Sequence, residues 1–361
     1  MNRLFESAAQ LGRLDGKTAR AYEERKGVLA ERVNQELLAD SRLCELIGGL
    51  ERIPLMMENH RNHALFLASM MTLNAWRLLA STLPWVYQTY LALGFHSSYF
   101  PVELGAWKKA IHAELPPSEA GTICHVYDWM LAQHDLLLDL SRHLPVPEPL
   151  PVTEPWQPFF DAILHHDLNR ALAMAEKQVG GPDDLATFYQ HTVRPALYEI
   201  GAWWAQGRIT VADEHLATAV VNTVITAVRC SIRTATRRRG LGILSAVTAE
   251  LHDLGARMIT HCLETDGWEV PFLGANTPLS DLIDLTRRMK PAFIGLSVSM
   301  PYHLHHAQAV IDRIRNLPGQ ESLPILIGGA VFAMFPEARP LIHDAHLIDD
   351  CPGAVLMARS I

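Results

Sequence analysis

Two changes of pattern along this 361-residue chain predict a multidomain protein: an N-terminal all-α module, an α-helical bundle and a C-terminal α/β domain. The first change is a proline-dense run, LPVPEPLPVTEPWQP at residues 144–158. Its six prolines fix φ and remove backbone donors, so it reads as an extended linker. The second comes at Gly240, where helical spacing of apolar residues gives way to continuous apolar runs, each followed by a helical pattern. Buried strands alternating with helices make a doubly wound parallel sheet. The expected divisions are 1–143, the linker 144–158, a bundle over 159–239 and an α/β domain over 240–361.

The elements follow in order. Tyr22, Leu29, Val33 and Leu37 recur at helical spacing within residues 18–39. A second helix is predicted over 62–82, stopped by Pro84, with others over 102–114 and 118–142. Past the linker, breaks at Gly180-Gly181-Pro182 and near Gly207 leave a short helix or two, then helices over 183–205 and 211–238. The runs GILSAVTA, VPFLGA, AFIGLSVSM and PILIGGAVF supply the predicted strands.

Composition excludes several classes. A net charge of −8 argues against a nucleic-acid footprint. The basic group Arg233 and Arg237–Arg239 is expected to close a long helix, where it complements the dipole. Five scattered cysteines contain no C-x-x-C, so neither a disulfide framework nor a zinc ribbon is expected. The charged start is unlike a secretory signal, and Asn74 and Arg77 interrupt the most apolar stretch, so a cytoplasmic protein is expected. The adjacent pairs His165-His166 and His305-His306 diverge on a helix and are expected at its surface. There is no P-loop, H-E-x-x-H or G-x-S-x-G, and no catalytic output is expected from the chain.

One constellation carries chemistry. Glu250-Leu-His252-Asp-Leu-Gly255 is followed, after 41 residues, by Ser297-Val298-Ser299 and, after 28 more, by Gly328-Gly329. On the strand assignment all three pieces fall at the carboxyl edge of the sheet, where such folds bind ligands. A loop histidine there can coordinate a metal while a carboxylate two residues earlier takes its other ring nitrogen. The pattern resembles the D-x-H-x-x-G…S-x-L…GG motif of flavodoxin-like (Rossmann-type) cobalamin-binding domains, over about 120 residues. The resemblance implies that His252 is the lower axial ligand of cobalt. It also implies that Glu250, Gly255, Ser297, Ser299, Gly328 and Gly329 help to hold cobalamin, whose nucleotide tail lies buried in the sheet. The chain departs from the family at two places, with Glu250 for Asp and Ser299 for Leu.

In the bundle, Trp204 is followed after nine residues by Glu214-His215. This is similar to the W-x9-E-H motif of the cobalamin-binding photoreceptors. It implies an adenosylcobalamin chromophore, with Trp204 packed on the adenosyl group, Glu214 bonded to it and His215 taking cobalt's upper side after photolysis. The chain as a whole resembles the photocobilins, which add a biliverdin. Trp85, Tyr90, His96, Tyr99, Trp107, Lys108, His125 and Tyr127 supply the aromatic, cationic and polar groups such a bilin needs. The other reading of that region is a helical core serving dimerisation. The resemblance thus implies a light sensor that alters self-association, most simply as a dimer, or contacts with an output enzyme or partner. Direct DNA binding is not expected, because the first module has no helix-turn-helix signal. The alternative is a corrinoid methyl carrier of a methyltransferase system, with an accessible upper face, and a third reading is a cofactor-free scaffold.

Overall fold

The computed structural model describes residues 1–144, 156–233 and 238–361. The chain forms two compact units, Met1–Pro145 and Val146–Ile361. Residues 145–155 of the expected linker lie outside the described residues. Trp156 to Pro158 do not extend it, because they open a helix, where proline in the first turn loses no helical bond.

The first unit is helical throughout: α1 (Asn2–Ala8), α2 (Gly16–Leu38), α3 (Leu43–Ile47), α4 (Ile53–Leu73), α5 (Trp76–Ala92), α6 (Tyr99–Glu114), α7 (Pro117–Ala132) and α8 (His134–Arg142). Asp15 caps α2 by accepting from the Lys17 and Thr18 amides. The stripe Tyr22, Leu29, Val33 and Leu37 is wholly buried, with α2 packed against α4 and α6. Two boundaries differ from expectation. Asn74, at a left-handed φ of 51°, ends α4, and α5 then runs straight through Pro84. Proline there removes one amide donor, while the Thr82 hydroxyl bonds back to the Leu78 carbonyl at 2.8 Å. The pattern at 118–142 divides at Gln133 into α7 and α8.

The second unit begins with α9 (Trp156–Leu164), α10 (Leu168–Gln178), α11 (Pro182–Phe188), α12 (Arg194–Ala205) and α13 (Val211–Ser231). A π-helical turn, Tyr189–Val193, joins α11 to α12. Such an extra residue per turn re-aims side chains. Here it puts the Tyr189 hydroxyl 2.8 Å from His261 Nδ1 and 3.3 Å from the Ile225 carbonyl. A capping box between Thr210 and Asp213 starts α13. That helix stops at Ser231 because Ile232 is extended, seven residues before the expected end. The described basic residues therefore lie past the helix, and Arg239 instead donates to the Asp266 carbonyl at 2.8 Å.

The α/β part runs β1 (Gly240–Ala246), α14 (Leu254–Thr265), β2 (Trp268–Glu269), α15 (Leu279–Met289), β3 (Phe293–Ser297), α16 (Leu304–Arg315), β4 (Ile325–Gly328), α17 (Val331–Met334), β5 (His346–Leu347) and α18 (Cys351–Arg359). All pairings are parallel, in the order β2-β1-β3-β4-β5. This is the expected doubly wound sheet, with its switch point between β1 and β3. VPFLGA forms no strand of its own but adds to β1 a Leu244–Phe272 bridge and a bond from the Ala246 amide to the Gly274 carbonyl, its ladder interrupted where Pro271 has no N–H. The short edge strand β5 has no apolar run to announce it. Met258 and Cys262 of α14 and Cys351 of α18 belong to the same apolar core as the bundle helices, so bundle and sheet layer pack together.

Gly329 sits at φ 128°, and a Cβ there would lie 1.9 Å from the Val298 carbonyl oxygen. Around Gly255 a Cβ meets nothing within 4 Å. Gly329→Ala is expected to cost roughly 3 kcal/mol in urea unfolding, whereas Gly255→Ala should be neutral or stabilising by up to about 1 kcal/mol. Equal effects would contradict these environments.

Candidate functional site

The loop after β1 is built around one carboxylate. Glu250 is fully buried, and its Oε1 accepts from the His252 amide at 3.0 Å and from His252 Nδ1 at 2.6 Å. Its Oε2 accepts from the Ser299 and Met300 amides of the loop after β3, at 2.8 and 3.0 Å. The methylene that Glu has beyond Asp thus lets one side chain span both loops at the switch point. Asn276 braces the outside: its Oδ1 accepts from the Ala249 amide at 2.8 Å, and its own amide donates to the Glu250 carbonyl at 2.9 Å. Ala249 holds a positive φ of 66° within this frame. No motif singled out Asn276, because its role depends on a loop brought back 26 residues later.

A carboxylate can only accept, so His252 Nδ1 carries the hydrogen and Nε2 keeps its lone pair. The His252 side chain is 58% exposed, which leaves that nitrogen accessible. The hydrogen bond that His252 donates to Glu250 raises the His252 pKa against the opposing effect of desolvation. Burial would push the Glu250 carboxyl up, but its bonds to His252 and the nearby charge hold it at about 2. Among the described residues no three metal-binding side chains converge. A single oriented imidazole suits a metal whose other ligands come with the cofactor, and this donor set fits a corrin.

The other motif positions divide. Gly255 faces open space at the start of α14, and Ser297 is buried at the end of β3. Ser299 contributes its backbone amide rather than a side chain. Gly328 and Gly329 have a reason independent of any ligand. Cβ atoms there would strike the carbonyl oxygens of Ile348 and Val298, so the close approach of neighbouring chain segments requires both glycines.

Above this loop stand residues of the bundle. Glu214 and His215 occupy the first turn of α13, with His215 Nδ1 2.6 Å from Glu214 Oε2 and Thr218 Oγ1 donating to Oε1 at 3.0 Å. The Glu214 charge helps raise the His252 pKa, which puts Glu214 within electrostatic range of the loop after β1. His215 is 74% exposed. Trp204 is half-buried; its neighbour Trp203 makes the fixed contacts, donating to Glu199 at 2.7 Å and lying 3.5 Å beneath the Arg208 guanidinium.

In the first unit, Tyr99, Trp107 and Tyr127 are fully buried and already paired. The Tyr99 hydroxyl meets His60 Nε2 and the Tyr127 hydroxyl meets that of Tyr22, each at 2.8 Å, while Trp107 Nε1 donates to Glu103 at 3.0 Å. Tyr90 packs on Phe95, Tyr99 and Phe100. Trp85 is half-buried, Lys108 pairs with Asp128, and His96 and His125 are exposed. The eight residues thus divide between bonded core positions and partly or fully exposed ones. Sequence reasoning missed the buried His60 and Glu103 and the partly buried His63.

Glu250→Ala is expected to weaken hydroxocobalamin binding about 10- to 100-fold; unchanged affinity in an absorbance titration would contradict the orienting role. Burial raises Glu103 from 4.5 to about 7. A raised carboxyl value favours the fold while the group is neutral, so this contribution is present below pH 4.5 and lost as pH rises through 7. His60 and His63, held near 3 by burial, stay neutral across that window. Wild-type stability should thus lose up to about 3 kcal/mol over it, a slope that Glu103→Gln flattens; urea midpoints that run parallel in the two proteins would contradict this.

No helix among the described residues is long and apolar enough to cross a membrane. Residues 240–349 and 156–229 each match a family model described as a B12 binding domain. The chain is 21% identical over 178 residues to dimethylamine corrinoid protein 1 of Methanosarcina mazei, covering 48% of this chain and 81% of that protein. It is 28% identical over 143 residues to the HTH-type transcriptional repressor CarH of Myxococcus xanthus, covering 39% of this chain and 46% of the repressor. The fold is similar to that of the Methanosarcina barkeri monomethylamine corrinoid protein, with a TM-score of 0.50 at 15% identity over 57% of this chain and 97% of that one. The two family matches place B12 binding domains within residues 156–349, the part of the chain that holds His252.

Proposed function

We propose that the second unit holds cobalamin with His252 Nε2 as the lower axial ligand of cobalt, and that the chain works as a corrinoid carrier serving a methyltransferase partner. The observation that carries the ligand assignment is the 2.6 Å contact from His252 Nδ1 to a buried carboxylate. A bound corrinoid supplies a cobalt centre that accepts and gives up an alkyl group. The residues of this chain do the rest. Glu250 fixes the imidazole tautomer and raises its basicity, Gly255 leaves the approach to the loop open, and Ser297 offers a hydroxyl at the sheet edge. On the bundle side His215, Val211 and Leu216 are exposed, an accessible upper face of the kind a carrier needs. The corrinoid proteins matched over four fifths of their length support this role. In this reading the chain is a binding protein and the chemistry of transfer belongs to its partner.

A second reading, a light sensor using adenosylcobalamin, is favoured by a separate observation. Trp204, Glu214 and His215 occur in the photoreceptor order, and Glu214 stands close enough for its charge to act on His252. There Trp204 would rest on the adenosyl group and His215 would move onto the upper axial side once that support is lost. A biliverdin in the first unit belongs to this reading alone.

One comparison separates the two. In protein loaded with hydroxocobalamin, the carrier reading expects added cyanide to exchange onto cobalt equally fast in wild type and His215→Ala. Slow exchange in wild type that His215→Ala accelerates, with a change of assembly state on illuminating adenosylcobalamin, would replace the carrier with the sensor. In either case His252→Ala should lose the histidine-ligated absorption spectrum.

A further inference from the structure

Three histidines are buried among the described residues, and their environments differ. His60 has both ring nitrogens paired, to Asn34 at 2.6 Å and Tyr99 at 2.8 Å. His261 Nδ1 is paired with Tyr189. His303, 3% exposed, has an Nδ1 with no hydrogen-bond partner. Buried polar atoms are nearly always bonded, so a lone one beside a candidate ligand site calls for a partner, a water or a ligand group, that the chain does not supply.

Its position says which partner. His303 ends the short turn Pro301–His303 after β3, and its amide donates to the Met300 carbonyl at 3.1 Å. The Met300 amide in turn donates to Glu250, the carboxylate that orients His252. The ring lies within reach of the charges of both Glu250 and His252, and packs edge-on against Tyr302 at 4.4 Å. It thus lies on the loop after β3, beside the Glu250–His252 pair at the carboxyl edge of the sheet. Burial keeps the imidazole neutral, with one nitrogen a donor and the other an acceptor. Such a ring can donate a hydrogen bond to a polar group or accept one from it, according to its tautomer.

We propose that His303 is a specificity-determining residue for the corrinoid: its unpartnered Nδ1 hydrogen-bonds a polar group on the lower side of the cofactor, a ring carboxamide or the nucleotide tail. This rests on the cobalamin reading above and adds to it a residue outside the motif. The contact is a positioning one, distinct from ligation of cobalt by His252.

The test titrates wild type, His303→Phe and His303→Asn with hydroxocobalamin and with aquocobinamide, which lacks the nucleotide tail but keeps the ring carboxamides. Asn places an amide where the ring Nδ1 lies, whereas Phe fills the volume with no polar atom. Far-UV circular dichroism and thermal melts accompany each titration. His303→Phe is expected to bind hydroxocobalamin about tenfold more weakly, with much of the loss restored in His303→Asn. A loss confined to hydroxocobalamin assigns the contact to the nucleotide tail, and an equal loss with both corrinoids assigns it to the ring. Folded His303→Phe that binds both as tightly as wild type overturns the inference and leaves the His252 site intact. If Phe unfolds the protein, His303→Leu takes its place, and Asn binding no better than that apolar variant overturns it equally. Wild type that binds neither corrinoid removes the His252 reading and this inference together.

Discussion

The site depends on one buried carboxylate with four hydrogen bonds. Glu250 takes two from its own loop and two from the loop after β3, so neither loop holds its shape without the other. A buried charge is costly unless fully bonded, and here the bonds come from both loops at the carboxyl edge of the sheet. Orientation of His252, closure of the β3 loop and the position of the turn ending at His303 follow from that single anchor. The sheet order supplies the setting, since only at the switch point do two neighbouring loops part widely enough for a ligand to enter.

The bundle's relation to this anchor is fixed away from the site. Tyr189, presented by the π-helical turn, ties the α13 carbonyl of Ile225 to His261 on α14, and Arg229 donates to Glu264 at 3.0 Å. The shared core around Met258, Cys262 and Cys351 completes the joint. Near the site, by contrast, Trp204 is only half-buried and His215 is exposed. Rigid attachment at the back with loosely held residues at the front is an arrangement in which cofactor or partner contacts, rather than intrinsic packing, set the position of the upper-face side chains.

Much of this was legible in the residues alone. The change of period at Gly240 announced the parallel sheet, and the spacing from Glu250 to Gly329 placed the site at its carboxyl edge. The stripe Tyr22 to Leu37 was visible because burial on one helix face leaves a 3.6-residue signature. What stayed hidden depends on contacts between distant segments. Asn276 and the Met300 amide reach Glu250 only once the strands are ordered, and His303 looks like any helix-start histidine until its burial is known. Pro84 misled because the packing of α5 carries the helix through a proline that sequence rules read as a stop. Gly328 and Gly329 match a ligand motif, yet their glycine character is already demanded by the carbonyls of Ile348 and Val298.

The central claim is that an imidazole of this chain, and not the vitamin's own base, binds cobalt from below. Electron paramagnetic resonance of the Co(II) form in protein grown with nitrogen-15 histidine measures this directly. The account predicts that the superhyperfine triplet of an axial nitrogen-14 collapses to a doublet on labelling, and that His252→Ala abolishes the change. A triplet unaltered by the label would show the nucleotide base still on the metal and contradict the account.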